Sequence, residues 1–297
     1  MKLTKKLSYS ALNIVTHPHS QQTYIELFFT LKKQSAPVKL RGDTYATVIH
    51  ISYFDKQNKS SSPVLGEIVK YTNIDKDADW YDINSQDIAS DEDLEKIKDI
   101  PDHLKPNMSK FSFIFYPDTH LLVFESLYDG QTFSAHYAKS LFESLFASPS
   151  IANKFGNVEV TIVPETDTID SFLSLSGLKC LRMVTNRPNP DQLSKTEGKI
   201  KSRLAKINAI SEERILKADR EAELLLDEIT KLEAKVAAKN GEVEFKRKNE
   251  SGHIEVFSTK EHPLKEDNFY NPAISSAYDE LIRVGATIKQ RVKDWIS

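Results

Sequence analysis

Cysteine, glycine and long apolar runs are what this sequence has least of, and each scarcity excludes something. A single cysteine, Cys180, in 297 residues rules out an intrachain disulfide and a cysteine-based zinc site. It stands in an apolar run with Leu178, Leu181 and Met183, so it reads as a small buried hydrophobe rather than a nucleophile. Nine glycines leave little material for phosphate-cradling loops. No P-loop, dinucleotide glycine pattern or Gly-x-Ser-x-Gly elbow is present. No apolar run reaches the roughly 18 residues of a membrane span, and Met1–Lys6 has no apolar secretion-signal core. The expectation is a soluble, cytoplasmic chain without membrane insertion. An excess of one charge is lacking too: the net of −3 does not by itself imply a nucleic-acid or membrane partner.

What is there is unevenly spread. Residues 75–102 are acidic, with Asp75, Asp77, Asp79, Asp82, Asp87, Asp91, Glu92, Asp93 and Glu95. Residues 187–206 are basic, with Lys195, Lys199, Lys201, Arg203 and Lys206 against Asp191 and Glu197. A near-neutral total can therefore hide a basic face. Hydrophobic content of 39% is enough for a sizeable core, and the length favours two domains.

Periodicity supplies the elements. Residues 7–16 read as a strand and 21–33 as a helix with Tyr24, Leu27, Phe28 and Leu31 on one face. Residues 45–54 and 65–72, rich in β-branched and aromatic side chains, read as an antiparallel pair. Pro117-Asp118-Thr119-His120 between two apolar runs predicts a hairpin, and 134–147 an amphipathic helix stopped by Pro149. A strand at 158–163, a short helix at 167–176 and a strand at 178–185 follow. Strands at 243–248 and 253–259 come later, and Asn271-Pro272 looks like the start of a last helix.

Between them, no aromatic residue follows Arg187 until Phe245. Ile215, Ala218, Ala222, Leu225, Ile229, Leu232 and Val236 recur at spacings of three and four, which places an apolar stripe on a helix. Ser211 reads as an N-cap after a break near Ile210, and Asn240-Gly241 as a stop. Ile274, Tyr278, Leu281, Gly285, Ile288, Val292 and Trp295 keep the same spacing. The reading is an α+β chain: an N-terminal domain at 1–150, and a ferredoxin-like domain at 151–297 with a long coiled-coil-like helical arm inserted at about 191–239. Leu225, Ile229, Leu232 and Val236 are the expected helix-pairing residues, within the chain or across the two-fold axis of a homodimer.

Candidate sites divide by chemistry. Asp75-Lys76-Asp77-Ala78-Asp79 has the alternating carboxylates of a calcium loop, but Trp80 stands where that loop needs glycine and Gln86 where it needs glutamate. His17-Pro18-His19 has no nearby cysteine or carboxylate to complete a ligand set. No metal or cofactor is expected. Glu244-Phe245-Lys246 matches the Glu-x-Lys strand of metal-dependent nucleases, a short match with no companion aspartate on a clear preceding strand. Lys195, Lys199, Arg203 and Lys206 recur at near-helical spacing, Lys246-Arg247-Lys248 follow, and Arg283, Lys289, Arg291 and Lys293 lie near the C-terminus. Such faces are most often merely solvated; they become a phosphate-binding surface if the three clusters converge.

Ile14-Val15-Thr16-His17-Pro18-His19, Tyr24-Ile25-Glu26-Leu27-Phe28, Lys39-Leu40-Arg41-Gly42-Asp43 and Gly66-Glu67-Ile68-Val69-Lys70 leading to Trp80 resemble a bacterial domain-of-unknown-function family, numbered 4747. Those motifs carry no known chemistry. More distantly, the hairpin followed by a helix, the run Val158–Glu165 and the long C-terminal helix are similar in layout to the phage-exclusion protein RexA. That resemblance implies a dimeric DNA-binding protein of bacterial anti-phage defence, and it transfers no residue-level motif. The resulting expectation is a non-enzymatic nucleic-acid-binding or sensor component of an abortive-infection type system, with non-specific DNA and a possible protein of the same system as partners. A nuclease using Glu244 and Lys246, and a scaffold acting through the helical arm, are the alternatives.

Overall fold

Strands rich in Phe, Ile, Val and Tyr make the centre of the molecule. The computed structural model describes residues 4–17, 20–34, 36–188 and 194–296. In chain order the elements begin β1 (Lys5–Thr16), α1 (Gln21–Gln34), β2 (Val38–Arg41), β3 (Thr44–Tyr53) and β4 (Val64–Thr72). The acidic excursion then holds β5 (Tyr81–Asp82), β6 (Asp87–Ile88) and α2 (Asp91–Lys98). Next come β7 (Ser109–Tyr116), β8 (Leu121–Tyr128), β9 (Gln131–Thr132), α3 (Ala135–Phe146), α4 (Pro149–Phe155) and β10 (Val158–Ile162). The remainder is α5 (Thr166–Leu173), β11 (Leu178–Asn186), α6 (Lys195–Lys206), β12 (Ser211–Lys217), α7 (Glu228–Asn240), β13 (Gly241–Lys248), β14 (Ile254–Ser258), β15 (Glu266–Tyr270) and α8 (Ala277–Trp295).

Among the described residues, nine strands form one antiparallel sheet ordered β10-β1-β8-β7-β4-β3-β2, with β15 also on β1 and β9 on β8. β1 is long enough to carry two partners on the same edge, β15 along Lys5–Tyr9 and β10 along Leu12–Thr16. The large sheet thus takes strands from both sides of residue 150, and β10 joins it rather than pairing with β11. A second antiparallel sheet has the order β12-β11-β13-β14.

Helices cover both faces of the large sheet, so β1 and β7 read as nearly continuous buried runs rather than alternating ones. On one face Phe111, Phe113 and Phe115 of β7 meet Tyr24 and Phe28 of α1 and Phe142 and Phe146 of α3. The Phe28 ring lies 4.5 Å from that of Phe115, and each such buried side chain contributes about 1.5–3 kcal/mol. On the other face Ile114, Tyr116, Leu121 and Val123 receive Leu281, Val284, Ile288 and Val292 of α8. The three-four spacing of α8 is therefore spent on a sheet, not on a partner helix. Gly285 permits the approach: a Cβ there would stand 2.9 Å from Tyr116 Oη and 3.1 Å from Ile114 Cγ2.

Several expectations hold. The strand pairs β3–β4 and β13–β14, the β7–β8 hairpin and the amphipathic helix α3 all form where the sequence placed them. Pro117 sits at the second position of a turn closed by Thr119 N–H to Tyr116 O at 3.3 Å.

The long arm does not form. Residues 211–217 are a strand, paired along its whole length with β11 from Asn186↔Ser211 to Cys180↔Lys217, and α6 and α7 are short. Tertiary pairing outweighs a helical spacing here: Leu216 turns toward the second sheet's core, and Arg182 and Arg214 bind Glu213 and Glu233. Helix resumes only at Glu228, where the Asp227 side chain accepts the Thr230 N–H at 2.8 Å. Asn240-Gly241 does end it.

The last helix starts at Ala277 and not at Pro272. Ser276 and Asp279 cap each other reciprocally, a stronger start than Asn271, whose side chain closes a turn onto Ala273 N at 3.0 Å. Cys180 is half-buried rather than core, because Leu181 and Met183 take the inward positions of β11 and alternation turns Cys180 to the opposite face. Among the described residues no helix is long and apolar enough to cross a membrane.

Candidate nucleic-acid interface

The basic helix α6 is anchored by a buried polar network. Ser194 Oγ accepts the Glu197 backbone N–H and Glu197 Oε2 accepts that of Ser194, each at 3.2 Å. Glu197 is fully buried, and its Oε1 accepts from Lys239 Nζ at 3.2 Å and Asn240 Nδ2 at 3.3 Å. Asn13 on β1 completes the network, donating through Nδ2 to Asn240 Oδ1 at 3.2 Å and to the Lys239 carbonyl at 3.3 Å. A buried pair persists only when further hydrogen bonds satisfy its remaining atoms, and this one has them. The network binds α6, the end of α7 and β1 into one frame.

Ile200 and Leu204 fix the inner face of α6 against Val236 of α7. The outer face carries Lys195, Lys199, Arg203 and Lys206, all exposed, within about 80° of arc. They flank a shallow groove shared with Gly198, Ser202 and Ile207. Arg203 is partly engaged, its Nη2 lying 2.5 Å from Glu212 Oε1. Among the described residues none forms an ion pair or side-chain hydrogen bond with Lys195, Lys199 or Lys206.

The other basic clusters do not line this groove. Lys246 lies on the face of β13 turned away from α7 and pairs with Glu244 at 3.0 Å. Arg247 points to the opposite side, over the Phe257 ring and bonded to Glu255 at 2.7 Å. Lys248, exposed at the strand end, follows Lys246. Near the C-terminus, Lys289 holds Asp118 at 2.6 Å, Arg291 holds Glu266 at 2.8 Å and Arg283 holds Glu280 at 2.6 Å. These cations fasten α8 to its neighbours or cap its own turns.

Glu244 stands opposite Arg182 and beside Lys246. Among the described residues no three His, Cys, Asp or Glu side chains gather into a metal-holding group, so the Glu-x-Lys strand lacks companion ligands. In the acidic excursion, Asp75 Oδ1 accepts the Asp77 N–H at 3.0 Å, and Lys76 reaches Asp102 at 2.7 Å. These carboxylates close turns and pair with lysine. His17 Nε2 lies 3.1 Å from the Arg187 carbonyl, while Pro18 and His19 fall outside the described residues.

The expected helix-pairing set is divided. Val236 is buried against α6, Leu232 is half-buried, and Leu225 and Ile229 are 87% and 67% exposed. Leu225 precedes α7 altogether. Helix pairing within the chain is thus between α6 and α7, through Val236. Sequence reading missed Glu197, Lys239, Asn240 and Asn13; the one local signal was the Ser194-x-x-Glu197 cap.

The model of the family described as Domain of unknown function (DUF4747) matches residues 5–285. The chain belongs to this family. The match runs from β1 into α8 and so takes in both sheets and the basic helix. No curated protein matches the chain, and the expected likeness to RexA is not shown.

Proposed function

We propose that this member of the DUF4747 family is a non-enzymatic nucleic-acid-binding protein, which holds duplex DNA by its phosphates through the outer face of α6. The observation that carries the reading is a short helix docked by a buried network, presenting Lys195, Lys199, Arg203 and Lys206 together on one solvent-facing side. Cations on a rigid support lose less conformational entropy on binding than cations on a loop. Backbone contacts of this kind position a protein without reading bases, so sequence preference is expected to be weak. Lys246, Arg247 and Lys248 lie on another sheet and are not assigned to this surface. A sensor role in bacterial anti-phage defence, a second protein of that system and a homodimer belong to the same proposal and rest on the RexA-like layout alone.

The test is duplex binding as a function of salt. Each phosphate contact contributes about 0.9 to the slope of log affinity against log salt. Changing Lys195, Lys199, Arg203 and Lys206 to Ala should weaken binding uniformly across sequences. It should flatten the slope by about three, less than four full contacts because Glu212 already neutralises part of Arg203. Wild type that fails to bind at low salt, or a quadruple variant that binds equally well, removes the proposal.

A further inference from the structure

β10 is the last strand of the large sheet, and one of its edges is unpaired. Val163 N–H donates to Ala11 O at 3.0 Å, and the register runs Leu12↔Ile162, Asn13↔Thr161, Ile14↔Val160 and Val15↔Glu159. In an antiparallel ladder, residues that exchange bonds with one neighbour alternate with residues that face the other way. Val163, Thr161 and Glu159 therefore bond toward β1. Ile14 agrees with this phase, since its N–H goes to His120 O at 2.9 Å on the β8 side. It follows that Val158, Val160 and Ile162 turn their N–H and C=O groups outward, where no described residue bonds them.

That edge is the floor of a cleft of about 810 Å³. α3 supplies one wall through His136 and Phe146, and the second sheet supplies the other through Asn186 and Glu242. A slot between a helix and a free strand edge is the shape that an added strand fills. The charges in the cleft are not evenly satisfied. Lys139 pairs with Glu143 at 3.0 Å and Lys260 with Glu242 at 2.6 Å. Glu159 has no ion pair among the described residues: Oε1 accepts from Asn157 Nδ2 at 3.4 Å, and Oε2 is buried without a partner. Burial raises the Glu159 pKa, opposed by the charge of Arg187.

We infer that the free edge of β10 receives an extended segment of a partner protein as an added strand, with a lysine or arginine of that segment set against Glu159. Backbone groups of Val158, Val160 and Ile162 supply the ladder, and the unpartnered carboxylate oxygen supplies the preference for a cation. The site is separate from α6 and stands whether or not that helix binds nucleic acid.

The probe is a heptapeptide with capped ends, alternating threonine and valine around a central lysine. Binding should slow amide exchange at Val160 and Ile162, read by NMR, and leave Glu159 and Thr161, already bonded to β1, unchanged. A peptide with central glutamate should bind about tenfold more weakly, as one charge-assisted hydrogen bond predicts. Glu159→Gln should erase that difference. N-methylation of the peptide's alternate backbone nitrogens should abolish binding while the protein stays as it is. Absence of protection at Val160 and Ile162 at millimolar lysine peptide, or equal binding of the N-methylated peptide, overturns the inference. A preference that survives Glu159→Gln overturns the role of Glu159.

Discussion

Glu125 shows how far burial can move a single group. It lies on β8 opposite Tyr9 of β1, nearly inaccessible, with the Ser112 N–H donating to Oε2 at 2.6 Å and Oε1 without a partner. Loss of solvent pushes its pKa up to about 7, partly offset by the Ser112 hydrogen bonds, and the nearby Glu67 adds to the rise. The folded chain therefore holds this proton more tightly than the unfolded one. Stability from Glu125 is fully present below its ordinary value of 4.5, falls as pH rises and is lost above about 7. The span corresponds to about 3 kcal/mol. Glu125→Gln, which keeps the shape and removes the titration, should unfold at higher urea than wild type at pH 8 and show little advantage at pH 5. Equal wild-type and variant differences between the two pH values would show that Glu125 stays ionised in the fold.

At the scale of elements, the same logic applies to α6, whose position depends on Glu197. Lys239→Ala leaves Glu197 buried without its cation and should destabilise the chain by about 3–5 kcal/mol. Glu197→Gln and Lys239→Met together should recover much of that loss. Thermal unfolding measures the sum, and amide exchange along 195–206 tells whether α6 loosens first; an unchanged midpoint for Lys239→Ala would deny the network any weight. None of this partnership was visible beforehand, because Asn13, Glu197 and Asn240 are far apart in the chain and each alone looks like a surface residue. Local patterns were legible where a local cause dominates. The Pro117 turn, the amphipathic run of α3 and the β-branched runs of β3 and β4 each decide their own conformation. The segment 211–217 was misread because Ile215 opens the helical stripe, while the adjacent apolar pair Ile215 and Leu216 does not show the alternation of a strand. Only pairing with β11 settles it. The basic spacing of α6 was legible as a face, while the run Lys246-Arg247-Lys248 does not reveal that alternation sends Lys246 and Arg247 to opposite sides of β13.

At the scale of the molecule, the apolar stripes that suggested a homodimer are mostly consumed within one chain. α8 spends Leu281, Ile288 and Val292 on the large sheet, and Val236 packs under α6. Leu225 and Ile229 remain exposed, so they are the residues through which a dimer of the expected kind would form. Two side chains cannot supply the roughly 1,000 Å² of a specific interface, and the contact must recruit more surface around them. The uncovered face of the second sheet is a competing surface, with Ile215, Ile254 and Val256 each about half exposed or more. Charged substitutions at exposed positions cost little folding energy, so both surfaces can be tested in soluble protein. Leu225→Glu with Ile229→Glu should convert a dimer to the 33.8 kDa monomer in sedimentation, with unchanged circular dichroism. Ile254→Lys with Val256→Lys should leave the dimer intact. The reverse result moves pairing to the open sheet, and a wild-type chain that sediments as a monomer at high micromolar concentration refutes the homodimer. In that last case α6 would meet DNA as one short basic face, and its salt slope would be limited to the contacts of a single chain.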